Sequence, residues 1–162
     1  MHSKIVTTLW LQDDPLEAVR FWIRALGSGR ILRSIPTPAS RLHDAPLIVE
    51  FELFGRTFRA VHAPHAPAGE GSTSLQVQCD SQQEIDSLWA TFVAAGAEEG
   101  RGGWLQDRWG VRWQIVPRGF DAMLANPDGE AVTRFLNAVR DMGKLDIAAL
   151  SRAWSTRYPI AS

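Results

Sequence analysis

One cysteine, Cys79, stands alone among 162 residues, which excludes an internal disulfide framework and a CxxC metal or redox site. A reducing, cytoplasmic setting is the default expectation for such a chain. Long apolar runs are missing as well, and no stretch approaches the length of a membrane span. Ile5 to Leu11 is broken by Thr7 and Thr8 and closed by Gln12-Asp13-Asp14, too short and too threonine-rich for a signal peptide. Net charge is nearly absent: 17 Lys and Arg against 18 Asp and Glu leave −1. Neither nucleic acid nor an anionic membrane is therefore an expected partner, because an electrostatic footprint on either shows in the overall charge. Arg101, Arg108, Arg112 and Arg118 crowd one stretch and read as a solvated rim.

What remains is a globular composition, 45% hydrophobic and 22% charged, at a length that buries about 70% of the unfolded surface. Tryptophan is plentiful, and three of the seven fall between Gly102 and Pro117. That segment reads as strand, tight turn and strand, with Asp107-Arg108-Trp109-Gly110 as the turn and Val111 to Val116 alternating in type. Gly110 suits a positive φ, and Pro117, lacking an N–H, ends the second strand.

From the N-terminus, Ile5 to Leu11 reads as a strand. Asp14-Pro15-Leu16-Glu17 combines an N-cap, a proline at the first helical position and a glutamate that can reach back to the cap, and Leu16, Val19, Trp22, Ile23 and Leu26 form the stripe of the helix that follows. Arg30 to Pro36 is a second strand and Thr37 to Pro46 a loop. Leu47 to Phe54 and Arg56 to His62 make a hairpin about Gly55, and Ala63 to Ser72 is a linker. Thr73 to Cys79 is again a strand, and Asp80-Ser81-Gln82-Gln83-Glu84 is a capping box. It opens a helix with Ile85, Leu88, Trp89, Phe92 and Val93 on its apolar face, ended by Gly96.

The chain repeats itself here. A slide of 67 residues carries Asp13 onto Asp80, Glu17 onto Glu84, Trp22 onto Trp89 and Gly29 onto Gly96. Each half reads strand, capped helix, then several strands, the pattern of a duplicated βαβββ module. The spacing predicts an α+β chain of 1–162 as one domain: a first module over 5–62, a linker over 63–72, a second module over 73–117 and C-terminal helices over 118–158. Those helices are expected at Phe120 to Ala125, from the Asn126-Pro127 cap to about Met142, and from Asp146 to Trp154, covering a sheet face or bracing a dimer.

The order βαβββ-βαβββ resembles the vicinal oxygen chelate superfamily, which includes glyoxalase I, bleomycin-resistance proteins and extradiol dioxygenases. The strings Leu9-Trp10-Leu11, Glu17 to Trp22, Val49 to Leu53, Ser74 to Val77, Gly103-Trp104-Leu105 and Trp113 to Pro117 look like its PhnB-like branch, as does the tail Lys144 to Leu150. That branch often carries the label 3-demethylubiquinone-9 3-methyltransferase, yet no glycine-rich strand-to-helix turn is present to seat a nucleotide-like methyl donor. The resemblance implies curved mixed sheets around a cavity, often with a divalent metal held by His and Glu from four strands, and commonly a homodimer.

At the positions the resemblance marks, this sequence offers Thr7 on the first strand, His62 at the end of the first hairpin with Arg59 on the other face, Ser74 or Gln76 on the fifth strand, and Gln114 on the last. One customary ligand in four is a poor divalent site, so no metal cofactor is expected. His62 and His65 lie three apart without an acidic or cysteine cluster beside them, and His43 and His2 have weaker claims; all read as surface or rim histidines. Gln76 and Gln114 either orient a neutral polar ligand or satisfy each other. Trp22 and Trp89 read as core. Trp10, Trp104 and Trp113 either line an aromatic pocket or fill the fold, and Cys79 reads as structural. The expected function is binding of a small planar or apolar molecule. The alternative is a metal-assisted isomerase, lyase or dioxygenase using His62 and Gln114, with the labelled methyltransferase ranked below it.

Overall fold

The computed structural model describes residues 5–36, 46–64 and 73–155. The chain divides into two compact units, Met1–Gly71 with Trp109–Val111, and Ser72–Arg108 with Arg112–Ser162. The expected loop from Thr37 and most of the linker up to Ser72, with His2, His43 and His65, lie outside the described residues.

The first unit carries β1 (Thr7–Leu11), α1 (Pro15–Leu26), β2 (Arg30–Pro36), β3 (Pro46–Leu53) and β4 (Arg56–His62), in one sheet of order β1-β4-β3-β2. β1 runs parallel to β4, and the other pairs are antiparallel. α1 starts where the sequence places it: the Asp14 side chain accepts from the Leu16 N–H at 2.8 Å, and Pro15 opens the first turn. It ends at Gly27, whose φ of 63° admits the left-handed cap. Ala18, Val19 and Trp22 are buried, and the Trp22 ring lies 5.7 Å from Phe51 of β3. Phe51 stacks on Phe58 of β4 at 5.5 Å, so odd-numbered β3 and even-numbered β4 residues turn toward α1. Trp109 completes this core, 5.3 Å from Phe21 and 6.1 Å from Trp22.

The second unit carries β5 (Leu75–Cys79), α2 (Gln82–Ala94), β6 (Glu98–Glu99), β7 (Trp104–Gln106) and β8 (Arg112–Pro117). Its sheet runs β5-β8-β7-β6, again with one parallel pair, β5 with β8. The capping box forms as expected: Ser81 Oγ accepts from the Glu84 N–H at 3.1 Å, and the Glu84 carboxylate accepts from the Asp80 N–H at 2.6 Å. Ile85, Leu88, Trp89 and Phe92 are buried, with Phe92 5.3 Å from Trp113. Gly110 takes φ 85° in the hairpin turn. Asp107, only 5% exposed, accepts from the Trp113 indole N–H at 2.9 Å and ties the turn to β8.

Three helices follow, α3 (Phe120–Leu124), α4 (Gly129–Asp141) and α5 (Ile147–Ser155). The cap of α4 lies two residues past the expected one. Asn126 Oδ1 instead accepts from the Asp128 N–H, and Asp128 caps the helix through the Ala131 N–H. Phe120, Phe135, Val139, Leu145 and Leu150 close with Val116 of β8 into one core, so the tail covers a sheet face. The segment between α4 and α5 is pinned by backbone bonds, Gly102 N–H to Met142 O at 2.7 Å and Gly103 N–H to Gly143 O at 2.8 Å. The Gln82 amide also grips it, donating to Leu145 O at 3.0 Å and accepting from the Ile147 N–H at 2.8 Å.

The architecture is α+β, with two four-stranded mixed sheets, each open-edged rather than closed into a barrel. The duplication is exact in the helices and offset in the strands. Trp22 and Trp89 are both buried helix residues at a slide of 67, whereas the buried strand ends Leu11 and Cys79 need 68. The first strand-to-helix link, Gln12-Asp13-Asp14, is one residue longer than Asp80-Ser81.

Candidate functional site

That one residue decides which side chains leave the face opposite each helix, because a slip of one position reverses a strand's faces. In the first unit, Thr8 pairs with Arg59, Arg59 with Glu50 and Glu50 with Arg33; these four form a row on the face opposite α1. Thr7 pairs with Phe58 and therefore stands on the α1 face. So does His62, opposite Leu11, and its Nδ1–H donates to the Asp13 carbonyl at 3.1 Å. The next row on the opposite face joins Trp10 to Val61 and Val61 to Ile48, with Trp10 63% exposed.

The polar row is held by a shared carboxylate. Glu50 accepts from Arg33 Nε at 3.0 Å and Nη2 at 2.9 Å, and from Arg59 Nη2 at 2.8 Å. The hydrogen bonds from Arg33 and then Arg59 hold its carboxyl below the usual range. Two guanidiniums share one anion, so the row keeps a surplus positive charge.

In the second unit the matching row joins Gln76 to Gln114 and Gln114 to Trp104. Here the structure brings together three residues that the sequence singles out. Gln76 Nε2 donates to Gln114 Oε1 at 3.1 Å, and Gln114 Nε2 donates to Gly102 O at 3.0 Å. The amides thus satisfy each other, and in doing so fix Gln114 in one orientation. The Arg112 guanidinium lies 5.0 Å from the Trp104 ring centre, a cation–π contact. Ser74 precedes the paired strand. Trp113 is core on the α2 face, 1% exposed. One position further along the same face as Gln114, Val116 is buried by the C-terminal helices and Gln78 donates to Asp121 at 3.1 Å. Those helices wall one side of the amide row.

The sequence does not single out Thr8, Glu50 or Arg33, and Arg112 reads there as solvated rim. Counting alternation back from a buried Leu11 finds Thr8; Glu50 and Arg33 needed the pairing itself. Cys79 is buried, and desolvation first, then Glu84 and Asp80, pushes its thiol up to about 11. It is no nucleophile at neutral pH.

The family model described as 3-demethylubiquinone-9 3-methyltransferase matches residues 3–116. The chain belongs to that family. The match ends inside β8, so the tail resemblance around Lys144 to Leu150 lies beyond it. Among solved structures, a putative 3-demethylubiquinone-9 3-methyltransferase, PhnB protein, from Bacillus cereus is 22% identical, covering 71% of this chain and 99% of its own, with a TM-score of 0.62. The fosfomycin resistance protein FosX from Mesorhizobium loti is 13% identical over 78% of this chain and 99% of its own, at 0.57. Listeria monocytogenes FosX, complexed with Mn(II) and sulfate, is 12% identical over 77% and 97%, at 0.54. These solved structures share the fold of this chain. A search of the curated proteins finds no match.

The superfamily that the sequence resembles often holds a divalent metal, and the donors among the described residues do not fit one. Among the described residues no group of three His, Cys, Asp or Glu could hold an ion. The second row offers amides, and Glu50 is already bound by two arginines. Amide oxygens without an anionic partner are a weak set for a hard or borderline cation.

Proposed function

We propose that this PhnB-like protein binds a small planar molecule on the second sheet, on the face opposite α2, without the divalent ion of its superfamily. The observation that supports this reading is the fixed amide of Gln114, held between Gln76 and the Gly102 carbonyl beside Trp104. A locked amide presents donor and acceptor edges to a neutral polar ligand without first losing side-chain freedom. Trp104 supplies apolar area, and the tail helices shield one side from water.

Saturation-transfer NMR of the whole protein against a set of small heteroaromatic amides tests it. Signals that persist in EDTA and vanish in Gln114→Ala, with unchanged circular dichroism, are expected. Signals that need a divalent ion, or that survive Gln114→Ala, contradict it.

The Mn(II) named for Listeria FosX favours a second reading, a metal-assisted enzyme using His62, Gln76 and Gln114. Against it, His62 is turned to the α1 face and its Nδ1–H is bound to Asp13. The methyltransferase of the family's description ranks third. Both strand-to-helix links carry acids in place of glycines, and binding of a methyl donor would be its test. A homodimer belongs to this proposal as well, with the exposed Leu32 and Phe54 as apolar surface for a second copy; a light-scattering mass of one chain refutes it. No helix among the described residues is long and apolar enough to cross a membrane.

A further inference from the structure

The first sheet carries a separate feature that the amide row does not explain. Arg59 Nε is a buried side-chain nitrogen with no hydrogen-bond partner among the described residues. Its guanidinium has five donors, and among the described residues its partner is Glu50, through Nη2. Glu50 is shared with Arg33, which binds it through two nitrogens. Arg59 is therefore the under-compensated cation of the row, and a buried charged donor without an acceptor is costly. The adjoining row on the same face presents Trp10, 63% exposed, next to Val61. A large aromatic side chain this open, beside a cation whose one acceptor is shared, matches a molecule with a flat apolar body and one oxyanion.

We infer that the face of the first sheet opposite α1 is a binding site for a small aromatic carboxylate, its oxyanion on Arg59 and its ring on Trp10. Arg59, its side chain 37% exposed, donates to the carboxylate through the accessible part of its guanidinium, while Nε stays buried. Trp10 and Val61 cover the ring, and Glu50 holds the guanidinium against the sheet. Arg33 keeps Glu50 from neutralising Arg59 alone. This inference rests on Arg59 and Trp10 and does not depend on the reading of Gln76 and Gln114.

Benzoate and benzamide, which share a ring and differ in charge, are the probes, titrated into the full chain by NMR. Benzoate is expected to bind on the order of millimolar, as suits a ligand of few atoms, and benzamide about tenfold more weakly. Arg59→Gln should weaken benzoate about tenfold and abolish the preference over benzamide, while Arg59→Lys, which keeps the charge without the fork, falls between. Trp10→Ala, an exposed change that spares the fold, should weaken both probes. Equal binding of benzoate and benzamide to the wild type, or wild-type benzoate affinity in Arg59→Gln or Trp10→Ala, would overturn the site.

Discussion

Arg59 and Gln114 hold the same place in the two units. Each stands on the strand that pairs in parallel with its unit's first strand, opposite Thr8 and Gln76 respectively, three positions before the last paired residues Leu11–His62 and Cys79–Pro117. Duplication has kept the position and changed its chemistry, from a guanidinium on a shared carboxylate to an amide on a neighbouring amide. Neither row supplies an imidazole, and the carboxylate of the first, Glu50, is already bound by two arginines.

Asp107→Ala leaves the buried Trp113 indole N–H without its acceptor. The expected loss is about 1–3 kcal/mol in urea unfolding. Asp107→Asn retains an acceptor oxygen and should lose less; equal losses would mean that the bond contributes nothing specific.

Gln82→Ala removes both bonds to the tail, at Leu145 O and the Ile147 N–H. Destabilisation of about 2 kcal/mol is expected, with faster amide exchange at Ile147 measured by NMR. Unchanged exchange there would show that the tail is held by its apolar core alone.

Gly103→Ala and Gly119→Ala separate backbone strain from crowding. Both glycines have positive φ, 78° and 86°, which costs alanine about 1 kcal/mol. A Cβ at Gly103 would also come within 2.6 Å of Ile115 O, while one at Gly119 meets nothing. Gly119→Ala should fall near that strain cost by thermal unfolding, and Gly103→Ala well beyond it.

These positions also mark what the sequence discloses. Asp14-Pro15 and Ser81 to Glu84 announce their helices because cap chemistry is local, and Asp107 to Gly110 announces its turn for the same reason. Counting back from the aromatic pair of α1 reaches Thr7, whereas the pairing with β4 puts Thr8 on the face opposite α1, and one residue reverses a face. The Glu50 cluster draws on three strands and Gln82 acts on residues far along the chain, so neither leaves a local pattern. Trp109 reads as a turn residue, yet it is buried against Phe21 and Trp22.

Two groups give opposite pH signatures. Glu50 is held low by Arg33 and Arg59, so its stabilisation is present above the ordinary carboxylate value of about 4.3 and is lost as pH falls through the folded value. The stability gap between wild type and Glu50→Gln should close in strong acid. Cys79 is raised to about 11, so burial of the neutral thiol stabilises the fold fully below its ordinary pKa of about 8.5, and this is lost as pH rises through 11. Iodoacetamide at pH 8 should label it only after denaturation.

Elemental analysis of protein purified without chelator or affinity tag, followed by thermal shift with divalent ions, tests the metal-free reading most directly. The rows of Gln76 with Gln114 and of Arg59 with Glu50 predict no stoichiometric divalent metal and no shift. Near-stoichiometric metal with a shift of several degrees would contradict that reading and make His62, Gln76 and Gln114 the ligands to examine.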